Sequence, residues 1–204
     1  MKKFLPFYIF LIIGLASCKS NEEKALALID KSMFSSLFDY ASYEPIETVV
    51  KEGGSTIYTD SLIRNYALMA ETSRKLYAES KEKANNALEY ADIYSDAYSY
   101  STRRKFNEYM KQAKDEASNM EKYLSAWGAY EDSIKLQVAN FQPQKVGWEV
   151  THKFRCKTKG GNFTLGNYVY LMDTKFSKIM QQFDMDDEDE SSIRERIDLA
   201  IKEN

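Results

Sequence analysis

The single histidine, His152, and Cys156, the only cysteine after position 18, lie four residues apart in the stretch GWEVTHKFRCKTKGGNF. A thiolate activated by an imidazole is a nucleophile, so the pair raises the question of a Cys–His dyad. The period of the surrounding residues answers it. From Val146 to Thr158 the even positions are Val, Trp, Val, His, Phe, Cys and Thr, while the odd ones are Gly, Glu, Thr, Lys, Arg and Lys. That alternation is the pattern of a half-buried strand. Residues i and i+4 of a strand share a face but stand about 13 Å apart at ~3.3 Å per residue, whereas a nucleophile and its base need ~3 Å. The strand excludes the dyad and predicts a small buried thiol beside a core-facing histidine with a hydrogen-bond partner. One His and one Cys are also too few ligands for zinc.

Other chemistry is equally sparse. Asp184, Asp186, Glu188 and Glu195 fall at positions 1, 3, 5 and 12 of an EF-hand-like loop, but Asp189 stands where the sharp turn wants glycine. The acidic run reads better as the solvated start of a helix, where negative charge suits the dipole. There is no glycine-rich phosphate loop, serine-centred elbow or HExxH, so the reading is non-enzymatic, with no catalytic residue, metal or cofactor. Tyr90, Tyr94 and Tyr98, spaced by four, make one stripe of a helix that could pack on an opposing helix or offer an aromatic platform to a sugar.

The elements that would carry these residues follow from hydrophobic periodicity. Residues 24–40 place Leu28, Ile29, Met33, Leu37 and Phe38 on one helical stripe. After Pro45 the β-branched run Ile46 to Val50 ends at Gly53 and Gly54, a strand closed by a turn. From Ser61 to Phe141 there is no proline and one glycine, with apolar residues every three or four positions. As one helix this would reach about 120 Å with its stripe bare, so burial favours folding back near Tyr98 to Thr102, where Ser101 or Thr102 could cap the second arm. Ala84, Ala87 and Ala91 then meet Ala113 and Ala117. Three shorter helices broken near Asn85 and Asn86 are the alternative. Pro143 closes the region, and Gly160 and Gly161 supply a two-residue hairpin turn that pairs Cys156 with Leu165 and His152 with Val169. In that register Lys153, Arg155 and Lys157 point outward, with Tyr168 and Tyr170 on the same outer face.

The expected fold is α+β and mostly α: a long antiparallel helical hairpin (59–142) inserted into a small module (24–58 and 143–183) built on a β-hairpin, with Ile46 to Val50 as a third strand and the amphipathic helix over the sheet. Residues 184–204 form an acidic segment and a final helix bearing Ile193, Ile197 and Ile201.

The first seventeen residues are read as a targeting signal. Lys2 and Lys3 precede a twelve-residue apolar run, Phe4 to Leu15, too short at roughly 18 Å for a ~30 Å hydrocarbon core. Leu15-Ala16-Ser17-Cys18 resembles a bacterial lipobox, which implies cleavage before Cys18, a diacylglyceryl group and an N-acyl chain on it, and a short lipidated linker to residue 23. Lys19 is not the aspartate that holds some lipoproteins at the inner membrane, and Glu22-Glu23 resembles acidic surface-export signals, so the outer membrane is the expected location. Loss of Lys2 and Lys3 takes the formal charge from −3 to −5, which argues against a nucleic-acid partner. Cys156 is left without a disulfide partner, and packing must supply the stability.

Together "SYEP" (42–45), "THKFRCKTKGGN" (151–162) and "YVYLMD" (168–173) resemble a group of uncharacterised small lipoproteins and exported proteins of Gram-negative bacteria with a His-Lys-aromatic-Arg strand running to a Gly-Gly turn. The resemblance covers about sixty residues outside the helical insertion and implies no activity or ligand. Two readings of function remain: an envelope lipoprotein whose arm engages another protein, or a lipoprotein binding a glycan or anion through the tyrosine stripe or the basic outer face. For the lipid itself, Cys18→Ala should abolish incorporation of labelled fatty acid into the chain; unchanged labelling would refute the lipobox.

Overall fold

The computed structural model describes residues 19–96 and 98–202. Cys18 and the apolar leader lie outside them. Helix α1 (Asn21–Ser36) opens on a capping box: Ser20 Oγ accepts from the Glu23 N–H at 3.1 Å while the Glu23 carboxylate accepts from the Ser20 N–H at 2.9 Å. The helix therefore starts three residues earlier than the apolar stripe suggests and stops at Ser36, which leaves Phe38 exposed off its end.

Strand β1 (Asp39–Gly54) pairs with β2 (Lys145–Lys157), β2 with β3 (Phe163–Asp173), and β3 with β4 (Ile179–Asp184), all antiparallel in the order β1-β2-β3-β4. The third strand is present and much longer than its β-branched centre; β4 is an addition that the sequence reading lacks. Between β2 and β3 the loop is one residue longer than the predicted two-residue turn. Gly161, at φ +80°, donates to the Thr158 carbonyl and the Thr158 N–H to that of Asn162, both at 2.9 Å. The pairing consequently shifts by one: Cys156 faces Thr164, His152 faces Tyr168 and Val150 faces Tyr170. A one-residue slip turns every β3 side chain over. Tyr168, Tyr170 and Met172 join Val150, His152 and Phe154 under α1, packed on Ala25, Ile29 and Met33. Leu165 goes to the outer face, where it is exposed. Gly166 is where the Phe154 ring lies flat against β3; a Cβ there would meet Phe154 Cζ at 2.5 Å.

Between β1 and β2 the chain runs out and back as α2 (Ser61–Ile93) and α3 (Tyr100–Ala139). Asp60 caps the first, accepting from the Leu62 and Ile63 N–H groups, and Ser99 caps the second, two to three residues before the expected cap. Helix α2 is continuous through Asn85 and Asn86, so there are two arms and not three helices. At ~1.5 Å per residue their 33 and 40 residues span roughly 50 and 60 Å. Ala84, Ala87 and Ala91 are buried on α2 and Ala113 on α3; Tyr66 lies by Tyr130, and Tyr90 and Tyr94 by Tyr109, as an antiparallel seam requires.

The last element, α4 (Glu188–Lys202), packs on the base of this hairpin, where Ile193, Ile197 and Ala200 meet Ile63, Ala67, Ala70 and Ile134 in a second core. Ala200 takes the place expected for Ile201, which is exposed. The approach of α4 decides which face of α2 is covered: Ile63, Ala67 and Ala70 are buried, whereas Leu62 and Met69, expected inside, are over 40% exposed. Charges close the joint. Arg64 holds Glu190 at 2.6 Å, and Arg196 bridges Glu71 and Glu131 at 3.1 Å each with its guanidinium over the Trp127 ring. Glu71 is also held by Arg74 at 2.6 Å, which keeps its carboxyl below the usual range. Glu71→Ala would leave Arg196, 13% exposed, with Glu131 as its one remaining carboxylate and would remove the partner of the part-exposed Arg74. It should cost about 3 kcal/mol in urea unfolding, whereas Arg155→Ala on the exposed sheet face should cost under ~1 kcal/mol; equal losses would show the joint to be an ordinary surface network.

Candidate functional site

Three places gather the residues that the sequence singles out, and the first is the outer face of the sheet. Lys153 and Arg155 project there as expected, but β1 sets an acid opposite each. Lys153 Nζ meets Glu47 at 2.8 Å and Arg155 meets Glu44 at 2.6 Å, with Lys51–Glu149 and Lys145–Glu52 extending the row. Lys157 and Arg155 also cover the Phe163 ring. A row neutralised by cross-strand acids is a poor anion site. Tyr168 and Tyr170 are not on this face at all, because the longer turn sends them into the core. The proposed basic and aromatic patch is thus corrected on both counts.

The second place is that core. His152 is fully buried between two β1 side chains: its Nε2 is 2.8 Å from the Tyr43 hydroxyl and its Nδ1 2.9 Å from Thr48 Oγ1. Strict alternation would put Tyr43 and Thr48 on opposite faces. A register shift between Pro45 and Glu47 returns both to the same side. Burial holds the Tyr43 phenol well above its ordinary value, so it stays protonated, and a neutral imidazole uses both hydroxyls, one ring nitrogen donating and the other accepting. The neutral tautomer is satisfied completely, and burial pushes the imidazole pKa down to about 4. Phe154 stacks on one side of the ring. Cys156, buried in the same cluster, has its thiol pushed up by burial and then by Asp39, and is a poor nucleophile. The pair fills a core. The Tyr170 hydroxyl is buried there without a hydrogen bond among the described residues. Asp173 is engaged elsewhere: it accepts from Ser177 Oγ and from the Ser177 and Lys178 N–H groups, which hold its carboxyl down to about 2.

The third place is the arm. Tyr90 and Tyr94 stack across the seam on Tyr109 at 5.3 and 5.9 Å, so their faces are used between helices. Tyr98 is not on the helix: α2 stops at Ile93, Tyr94 caps it, and Tyr98 lies in the connection with its side chain wholly exposed. The three tyrosines therefore form no single platform. Tyr98 and Tyr100 stand out at the tip instead, beside an exposed Ile93. The acidic run forms no calcium loop, since Asp184 ends β4, Glu188 opens α4 and Glu195 sits in mid-helix. Among the described residues no three His, Cys, Asp or Glu side chains gather as metal ligands, and no helix is long and apolar enough to cross a membrane.

The fold is thus an α+β body bearing a long helical hairpin, without a constellation of reactive groups among the described residues. No protein-family model, curated protein or solved structure matches the chain.

The buried histidine sets a pH dependence. Its folded pKa of about 4 lies below its ordinary 6.5, so between these values the unfolded chain binds the proton and the folded one does not. Stability should be full above pH 6.5 and fall as pH drops toward 4, by up to about 3 kcal/mol. His152→Gln, which keeps donor and acceptor without titrating, should flatten this part of the urea-midpoint profile; an unchanged slope would assign the loss to other groups.

Proposed function

We propose that the protein is a lipid-anchored component of the bacterial outer membrane that presents its helical arm to another envelope protein and performs no catalysis. The observation that carries this reading is the arm itself. Two helices of 33 and 40 residues leave the sheet together and run out well past α4, ending in a tip with exposed Ile93, Tyr98 and Tyr100. Folding alone does not call for such a projection, since the sheet under α1 and the hairpin base under α4 are each closed cores. Tyr and Ser in a connection give large contact area at low entropic cost and adaptable hydrogen bonds, which suits recognition. A lipid on Cys18 would join the chain just ahead of α1, on the body and away from the tip.

The resemblance to small exported lipoproteins supports the location. The anion reading has lost its basic row to Glu44 and Glu47, while a glycan reading keeps the exposed Tyr98 and Tyr100. A photo-crosslinking residue at Tyr98, with the full chain recovered from its native envelope, separates the two. A discrete adduct with one other protein is the expected result. Adducts only with itself, or none together with retention on a glycan array, would overturn the protein-partner reading.

A further inference from the structure

The side of the hairpin that α4 covers at the base continues uncovered toward the tip. Trp127, under the Arg196 guanidinium of α4, lines a depression of about 490 Å³ with Tyr77, Ala78 and Lys81. Asn85 belongs to this depression and to the next, of about 770 Å³, floored by Ala84 and Ala113 and walled by Leu88, Met110 and Met120. Leu88 is 48% and Met110 41% exposed, although both face the groove between two helices. Over its first third the groove holds a helix; beyond that it offers a second helix the same kind of seat.

Beside the second depression the rims carry opposite charge. On α2 stand Glu82 and, two turns on, Glu89, with Asp92 seven residues beyond Asn85; on α3 stand Lys111 and Lys114, while the α2 bases Arg74 and Lys81 line the first depression only. Two copies of the chain fit this pattern badly. Facing grooves with the arms antiparallel sets α2 on α2 and α3 on α3, acid on acid and base on base. With the arms parallel the charges match, but the two α4 helices meet at one level, and packed helix axes need 8–10 Å each.

We infer that the uncovered groove is a docking site for one amphipathic helix of a partner protein, about 15 residues long. Its apolar stripe lies over Ala84, Leu88, Met110 and Ala117, with a basic flank over α2 and an acidic flank over α3. The seat extends the α4 interface, and the mode is that of a helix in a groove. Because reversing a helix exchanges its flanks, the rims fix the direction in which the partner runs. This rests on the arm being an interaction element and names the partner's chemistry.

Three designed 15-residue peptides with one leucine stripe test it: Lys on one flank and Glu on the other, Lys on both, and Glu on both. Binding to the full chain in mild detergent is read by fluorescence anisotropy. The mixed peptide should bind with a micromolar Kd, at least tenfold tighter than either other, and Leu88→Asp should weaken it tenfold or more with an unchanged melting temperature. Lys111→Glu with Lys114→Glu should move the preference to the all-Lys peptide. Equal binding of the three, no binding by any, or a preference unmoved by the charge reversal overturns the inference. So does a dimer in light scattering that Leu88→Asp dissociates, which would make a second copy the occupant. A protein adduct at Tyr98 alongside failed peptides removes the groove and leaves the arm as an interaction element; peptides that behave as expected without a Tyr98 adduct do the reverse.

Discussion

Two hydrogen bonds between Ser55 and Gln144 hold the point on which the molecule turns. The Ser55 N–H donates to the Gln144 carbonyl at 2.7 Å, and the Gln144 N–H donates to Ser55 Oγ at 2.8 Å. They continue the β1–β2 ladder past Gly54 and Lys145, so the chain must leave and re-enter the sheet at neighbouring positions. With both ends pinned, an intervening segment of helical period can bury its stripe only by doubling back on itself, and the return sets its legs antiparallel. Gly53 belongs to the same constraint, because a Cβ there would meet the backbone of Trp148 and Glu149 at 2.6–2.7 Å.

A pinned pair of helices would still swing as a lever about its root. The second core opposes this. Helix α4 returns from β4 to lie against both legs, and the Arg64–Glu190 and Glu71–Arg196–Glu131 pairs tie it to α2 and α3 together. Buried ion pairs add little net stability against an apolar core of the same shape, since desolvation offsets attraction. Their geometry is selective, however: bidentate Arg–carboxylate contacts are made in one relative placement of the helices and lost in others. The same helix that steadies the arm covers only the base of its groove: its first turn reaches Lys75 through Asp189, while Asp198 lies back at the root beside Tyr58.

Much of this was legible in the sequence where periodicity speaks. The strand at Val146 to Thr158, the β-branched third strand and the fold-back between two long arms all follow from the spacing of apolar residues; of the alanines expected between the arms, Ala84, Ala87, Ala91 and Ala113 are buried and Ala117 is exposed. What was illegible depended on single residues of register. One extra loop residue at Lys159 to Gly161 inverted β3 and carried Tyr168 and Tyr170 from the surface to the core, because strand period two leaves no room for a partial error. The shift near Pro45 hid the partners of His152 in the same way. Other signals were present but unread. Ser20-x-x-Glu23 is a capping box, and Glu71 and Glu190, each on an otherwise apolar helix face, announced buried ion pairs that join a nearby arginine to one more than a hundred residues away in sequence.

The distribution of charge separates the faces that fold the protein from the face left for something else. On the sheet every outward base of β2 finds an acid or an aromatic ring across a strand, and in the joint Glu71, Glu131 and Glu190 each find a guanidinium. On the groove rims Glu82, Glu89, Lys111 and Lys114 form no ion pair among the described residues. The legs hold those rims apart by the width of the groove, so acids and bases of opposite sign face each other without touching. Solvated surface charge is common and by itself signifies nothing. Beside the second depression, though, Glu82 and Glu89 stand on one side and Lys111 and Lys114 on the other of an apolar channel whose base a helix of the same chain covers. A helix laid in that channel would bring a base to each acid and an acid to each base while covering Leu88 and Met110, which removes both departures from the pattern of the remaining surface at once.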